Sequence, residues 1–130
     1  MRKIMMVFAF LLAVTGTDAQ TYKFKTTAFA YKTLGSYGWS RWTDWERTSM
    51  LVVINADRDV ITVYSQDPQE YDIVDYQGEE TDSNGKSIRY LCVNEDGLRC
   101  EIRLRKQYDG SIQLYVDFNN IMWVYSLTDR

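Results

Sequence analysis

Three tryptophans stand within seven residues, Trp39-Ser40-Arg41-Trp42-Thr43-Asp44-Trp45. A spacing of three puts them on one side of a short helix. In a strand, Trp39 and Trp45 share a face and Trp42 opposes them. Such rings can form a platform that stacks on sugars or lines an apolar cavity, with Arg41, Asp44 or Glu46 in reach for polar contacts. The same rings can plug the open end of a barrel or belong to a core. Trp39, Trp42, Trp45 and Arg41 are therefore the candidate ligand-binding residues, with burial as the competing role.

Cys92 and Cys100 are the two cysteines of the chain. An even count in an exported chain suggests a bridge, and the alternative is two buried thiols acting as small hydrophobes. Their spacing does not match a Cys-x-x-Cys redox motif. Histidine is absent, which removes most catalytic triads, most zinc sites and any histidine-based pH switch. Carboxylates alone can hydrolyse glycosides, yet no feature singles out one pair here. Serine or cysteine nucleophile motifs and glycine-rich phosphate loops are missing. No catalytic residue is assigned, and the chain is not expected to be an enzyme. Asn55-Ala56-Asp57-Arg58-Asp59 opens like a calcium loop, but Val60 and Gln66 stand where such a loop needs glycine and glutamate. It reads as a polar hairpin turn, and no metal or cofactor is expected.

The elements that position these residues begin after a leader. Arg2 and Lys3, the apolar run Ile4–Val14 and the small residues around Thr17-Asp18-Ala19 predict a signal peptide over 1–19, cleaved before Gln20. The run is too short to span a membrane, which takes roughly 20 apolar residues. The expected mature unit is a single β domain over 20–130, exported to the periplasm or the cell exterior, with no membrane span. Losing Arg2, Lys3 and Asp18 moves the formal charge from −3 to −4. An acidic chain is a poor partner for nucleic acid. The expected partner is an unknown small ligand or a protein.

From Thr21 onward, alternation of period two dominates, and turn signals recur about every ten residues, as in all-β folds. Strands are expected over 21–33, 50–55, 60–65, 70–76, 87–93 and 98–106, with two more around Leu114 and Trp123. Gly97 closes a three-residue loop that pairs Cys92 with Cys100. Tyr108-Asp109-Gly110 pairs Leu104 with Leu114, and Asn119-Asn120 pairs Val116 with Trp123. These registers send Tyr90, Cys92, Leu98, Cys100, Ile102, Leu104, Leu114, Phe118, Ile121, Trp123 and Tyr125 to one interior. The fold class is all-β: an antiparallel meander of seven or eight strands. It forms a small up-and-down (calycin-like) barrel or, alternatively, a two-sheet sandwich.

An Ala-Gln cleavage site, Tyr22-Lys23-Phe24-Lys25, the tryptophan-rich stretch, Leu51-Val52-Val53-Ile54-Asn55, Leu114-Tyr115-Val116-Asp117-Phe118 and Met122-Trp123-Val124-Tyr125 follow in order. Together they resemble small secreted proteins of Bacteroidota that carry no assigned site. The resemblance implies export and a bacterial envelope setting, and it brings no functional residue with it.

Overall fold

Between Thr21 and Thr26 every second side chain is buried: Tyr22, Phe24 and Thr26 point inward, while Lys23 and Lys25 remain in water. The computed structural model describes residues 21–129, so the signal peptide expected over 1–19 lies outside them. Ten strands follow one another: β1 (Thr21–Gly35), β2 (Gly38–Trp39), β3 (Glu46–Arg47), β4 (Leu51–Asn55), β5 (Val60–Tyr64), β6 (Gln69–Thr81), β7 (Gly85–Asn94), β8 (Arg99–Gln107), β9 (Ile112–Asp117) and β10 (Ile121–Thr128). From β4 to β10 each strand pairs antiparallel with the next. Strand β1 pairs with β4 through Thr21–Lys25 and with β10 through Lys25–Thr33, which closes an eight-stranded barrel.

The three C-terminal hairpins take the expected registers. Gly97 adopts φ +83° and Gly110 φ +98°, the left-handed conformation that glycine reaches without a Cβ clash. Asn119 does the same at φ 73° in the two-residue turn. Cys92 lies opposite Cys100, Leu104 opposite Leu114, and Val116 opposite Trp123. Inward side chains fill the barrel. Tyr90, Ile54, Ile61, Ile88, Ile102 and Leu114 are fully buried, each contributing about 1.5–3 kcal/mol of apolar burial. Eight strands enclose an interior about wide enough for side chains alone, so space for a guest is sought at the ends and on the surface.

Two expectations need correction at the interior's margin. Leu98 is 56% exposed, because the hairpin loop carries it past the rim. Phe118 and Trp123 are only partly buried, packed on top of the core cluster. Bulges explain why the alternation is hard to follow elsewhere. One lies between Thr26 and Ala28 of β1, and two interrupt β6, at Ile73–Asp75 and Tyr76–Gly78. Each bulge adds a residue and resets the in–out phase, so β6 continues to Thr81 although its pattern breaks near Tyr76.

Candidate functional site

The tryptophan stretch is the return arm of a hairpin with β1. Leu34 faces Trp39, the Ser40 N–H donates to the Thr33 carbonyl, the Thr43 N–H donates to the Tyr31 carbonyl, and Glu46 faces Phe29. Thr43 and Ser40 hydroxyls accept from the Tyr31 and Thr33 N–H groups and fill gaps in the ladder. The arm has more residues than the stretch of β1 it pairs with, so strict alternation fails. Trp39 and Trp42, which alternate faces in a regular strand, both lie under the Lys32 ammonium, at 5.3 and 4.8 Å.

This overturns the burial alternative. Trp39, Trp42 and Trp45 are 40%, 38% and 52% exposed and belong to neither a core nor a plug. Arg41 is exposed beside them. The Trp42 ring meets Tyr115 edge-on at 6.3 Å. Tyr115 sits between inward Leu114 and Val116, so it faces outward. To reach it from the far side of β1, Trp42 must pass over two strands spaced about 4.8 Å apart. Ala30 and Val124 lie beneath that path, and they are buried although on the outer face. Arg103 stacks on Tyr115 at 4.3 Å. The tryptophan patch therefore covers the outer wall.

A different set of rings gathers at the mouth, the barrel end that carries the 65–68, 95–98 and 119–120 turns. The β1 bulge turns Phe29 and Tyr31 inward, opposite Tyr125 and Trp123 of β10. Phe29 meets Tyr31 and Tyr125 edge-on at 6.1 and 6.0 Å, and Phe118 meets Trp123 at 5.5 Å and Tyr71 at 6.5 Å. An apolar recess of about 290 Å³ lies among Phe29, Tyr31, Gln69, Ile121, Trp123 and Tyr125. Gln69 and Trp123 also line a wider cleft of about 700 Å³, with Tyr71, Phe118 and the acidic residues Asp67, Glu70, Glu95 and Asp96. None of Trp39, Arg41, Trp42 and Trp45 lines either space.

Few polar groups converge here. The Tyr71 hydroxyl donates to Gln69 Oε1 at 2.6 Å. Burial raises the Tyr71 phenol above its ordinary value, and the neighbouring Tyr125, the two thiols and Glu95 push the same way. Burial likewise raises Tyr125, against smaller opposing effects of Gln69 and the Trp123 indole. The Trp123 Nε1 donor is out of solvent and neighbours the Tyr125 hydroxyl, without reaching full hydrogen-bond geometry among the described residues.

Beneath Tyr71, Cys92 and Cys100 face each other as separate buried thiols. Burial pushes the Cys92 thiol up, and it pushes Cys100 up to about 12. The Asn94 N–H donates to the Leu98 carbonyl. Two residues along, Cys92 and Cys100 therefore form a hydrogen-bonded pair, the wider of the two antiparallel spacings. At the opposite side of the fold, Asn55 Oδ1 accepts from the Arg58 N–H, so the side chain that opens the calcium-like sequence closes a turn instead.

The mouth was missed in the sequence because its rings come from β1, β6, β10 and the connection between β9 and β10, and are scattered over nearly a hundred positions. The available signal was the Trp123–Tyr125 pair ending an inward face. Comparison of the chain with protein-family models, curated proteins and solved structures finds no match among any of the three. The functional reading therefore comes from the chemistry of the site.

Proposed function

We propose that the protein is a non-catalytic, exported β-barrel binding module for an apolar or glycan-like small ligand, which enters the mouth between Phe29, Tyr31, Trp123 and Tyr125. The observation that carries this reading is the apolar recess of about 290 Å³, which shares Gln69 and Trp123 with a neighbouring, more polar cleft. Ligand sites are typically concave, mostly apolar and furnished with a few placed polar groups. Gln69 and the Trp123 N–H, which has the Tyr125 hydroxyl beside it but not in full hydrogen-bond geometry, supply those groups. The histidine-free composition favours binding over catalysis. Export to the periplasm or beyond is supported by the leader-like N-terminal sequence. In such an oxidising compartment we expect the opposed Cys92 and Cys100 to form a disulfide.

A neutral fluorophore tests the site. N-phenyl-1-naphthylamine should bind the purified protein saturably with increased emission. Tyr31→Ala should weaken it at least tenfold, and Trp42→Ala should change it less than twofold. Unaltered binding to Tyr31→Ala removes the mouth from consideration.

A second reading is a protein-interaction or structural envelope role. It is favoured by one observation: Trp39, Trp42 and Trp45 are exposed on an arm whose short strands, among the described residues, pair only with β1. It gains if the fluorophore does not bind and the protein self-associates in sedimentation through an interface lost on Trp45→Ser.

A further inference from the structure

We propose that the ligand taken at the mouth is a cation, an ammonium group carried on an apolar body; the inference rests on the mouth being a binding site. Two independent features point to charge. Among the described residues, every charged residue lining the wider cleft is an acid, namely Asp67, Glu70, Glu95 and Asp96, with no lysine or arginine. None of the four forms an ion pair among the described residues, whose ion pairs join Arg89 to Glu80 and Glu101, and Arg105 to Asp82.

The rings supply the second feature. Aromatic faces are negative and attract cations within about 6 Å of the centroid, tryptophan most strongly. On the outer wall the chain meets that attraction itself, with Lys32 over Trp39 and Trp42 and Arg103 over Tyr115. At the mouth no described lysine or arginine covers Tyr31, Trp123 or Tyr125. An anionic ligand meets uncompensated carboxylates and electron-rich faces at once. A neutral ligand gains only apolar burial. An ammonium ligand gains from both features where they meet, with its apolar body in the smaller recess and its charge beside Trp123, the ring that also borders the acidic cleft.

Calorimetric titration of the purified protein with three probes of similar size tests this. Benzyltrimethylammonium should bind at least tenfold more tightly than its uncharged isostere neopentylbenzene, and phenylacetate should not bind measurably. Raising NaCl from about 50 to about 500 mM should weaken the ammonium probe at least threefold and leave the neutral one unchanged, since exposed carboxylates are screened at that ionic strength. Asp67→Asn combined with Glu95→Gln should reproduce that selective loss. Equal affinity for the ammonium and neutral probes overturns the charge inference and leaves the mouth as an apolar site. Failure of the ammonium probe while N-phenyl-1-naphthylamine still binds overturns it as well. Failure of all these probes removes the mouth reading and this inference together.

Discussion

On the outer wall, the rings of Trp39, Trp42 and Tyr115 already hold the chain's own cations, and the small residues Ala30 and Val124 give Trp42 a floor to lie on. At the mouth, Phe29, Tyr31, Trp123 and Tyr125 surround open space, and the charge that the described residues place in the adjoining cleft is uniformly acidic. The denser cluster in sequence is thus the more satisfied one in space. Aromatic content alone does not mark a ligand site. The informative difference is whether the ring faces already have cationic partners within the chain.

The comparison is tested most severely by truncating one tryptophan from each region. Trp123 packs on the core and against Phe118. Fully buried aromatics cost about 3–5 kcal/mol when cut to alanine, and a partly buried one costs less, so Trp123→Ala should lose about 2–3 kcal/mol. Trp42→Ala removes a ring from the surface and should lose under about 1 kcal/mol, near the range of surface substitutions. Urea unfolding of both variants measures the difference. Equal losses would mean that the outer-wall ring is structural to the same degree and that the distinction drawn here is wrong.

A second test concerns the thiols beneath Tyr71. If Cys92 and Cys100 join, the short loop they enclose limits the gain to about 2.5 kcal/mol in the loop-closure model. The wider hydrogen-bonded spacing of the pair subtracts from that. The reduced protein has a distinct signature. Both thiols are raised in the folded state, Cys100 to about 12 from an ordinary 9. Their contribution is complete below pH 9 and is lost as pH rises toward 12, because the unfolded chain releases those protons first. The urea midpoint of the reduced protein should therefore fall more steeply above pH 9 than that of the oxidised protein, in which the raised tyrosines are unchanged. Parallel curves would show that the thiols are not held protonated by the core.

How much of this was legible depends on whether a strand keeps its phase. From Ile88 to Trp123 the turns are short, Gly97, Gly110 and Asn119 fix their geometry, and the registers follow residue by residue. Residues 21–26 are equally clear. After Thr26 a bulge inverts the pattern, and Phe29, not Thr27 or Ala28, becomes the inward residue opposite Tyr125. That one extra residue hides half of the mouth. Two bulges do the same to β6 and conceal its length. The tryptophans were visible as a cluster, but their direction was not: a spacing of three fits no regular strand face, and only the irregular pairing with β1 brings Trp39 and Trp42 under Lys32. Leu98 misled for a simpler reason, since its parity is inward but its height is beyond the rim.

The smallest effect comes from the end of the barrel away from the mouth. Arg105 projects from the outer wall and grips Asp82 with both terminal nitrogens, at 3.1 and 3.2 Å, while the Asn84 and Gly85 N–H groups donate to the same carboxylate. The Arg105 hydrogen bonds, then that from Asn84, hold the Asp82 carboxyl down to about 2. A depressed carboxyl contributes fully above its ordinary value near 4, and the contribution is lost as pH falls through about 2. Asp82→Asn should therefore flatten the acid limb of the stability curve between about pH 4 and 2. At neutral pH the change should be slight, because water screens an exposed pair. Here, as elsewhere on the wall, a cation is matched within the chain, so the same variant should bind benzyltrimethylammonium with unchanged affinity. A weakened affinity would mean that the wall and the mouth share one electrostatic field, and the contrast between a satisfied surface and an unsatisfied one would have to be abandoned.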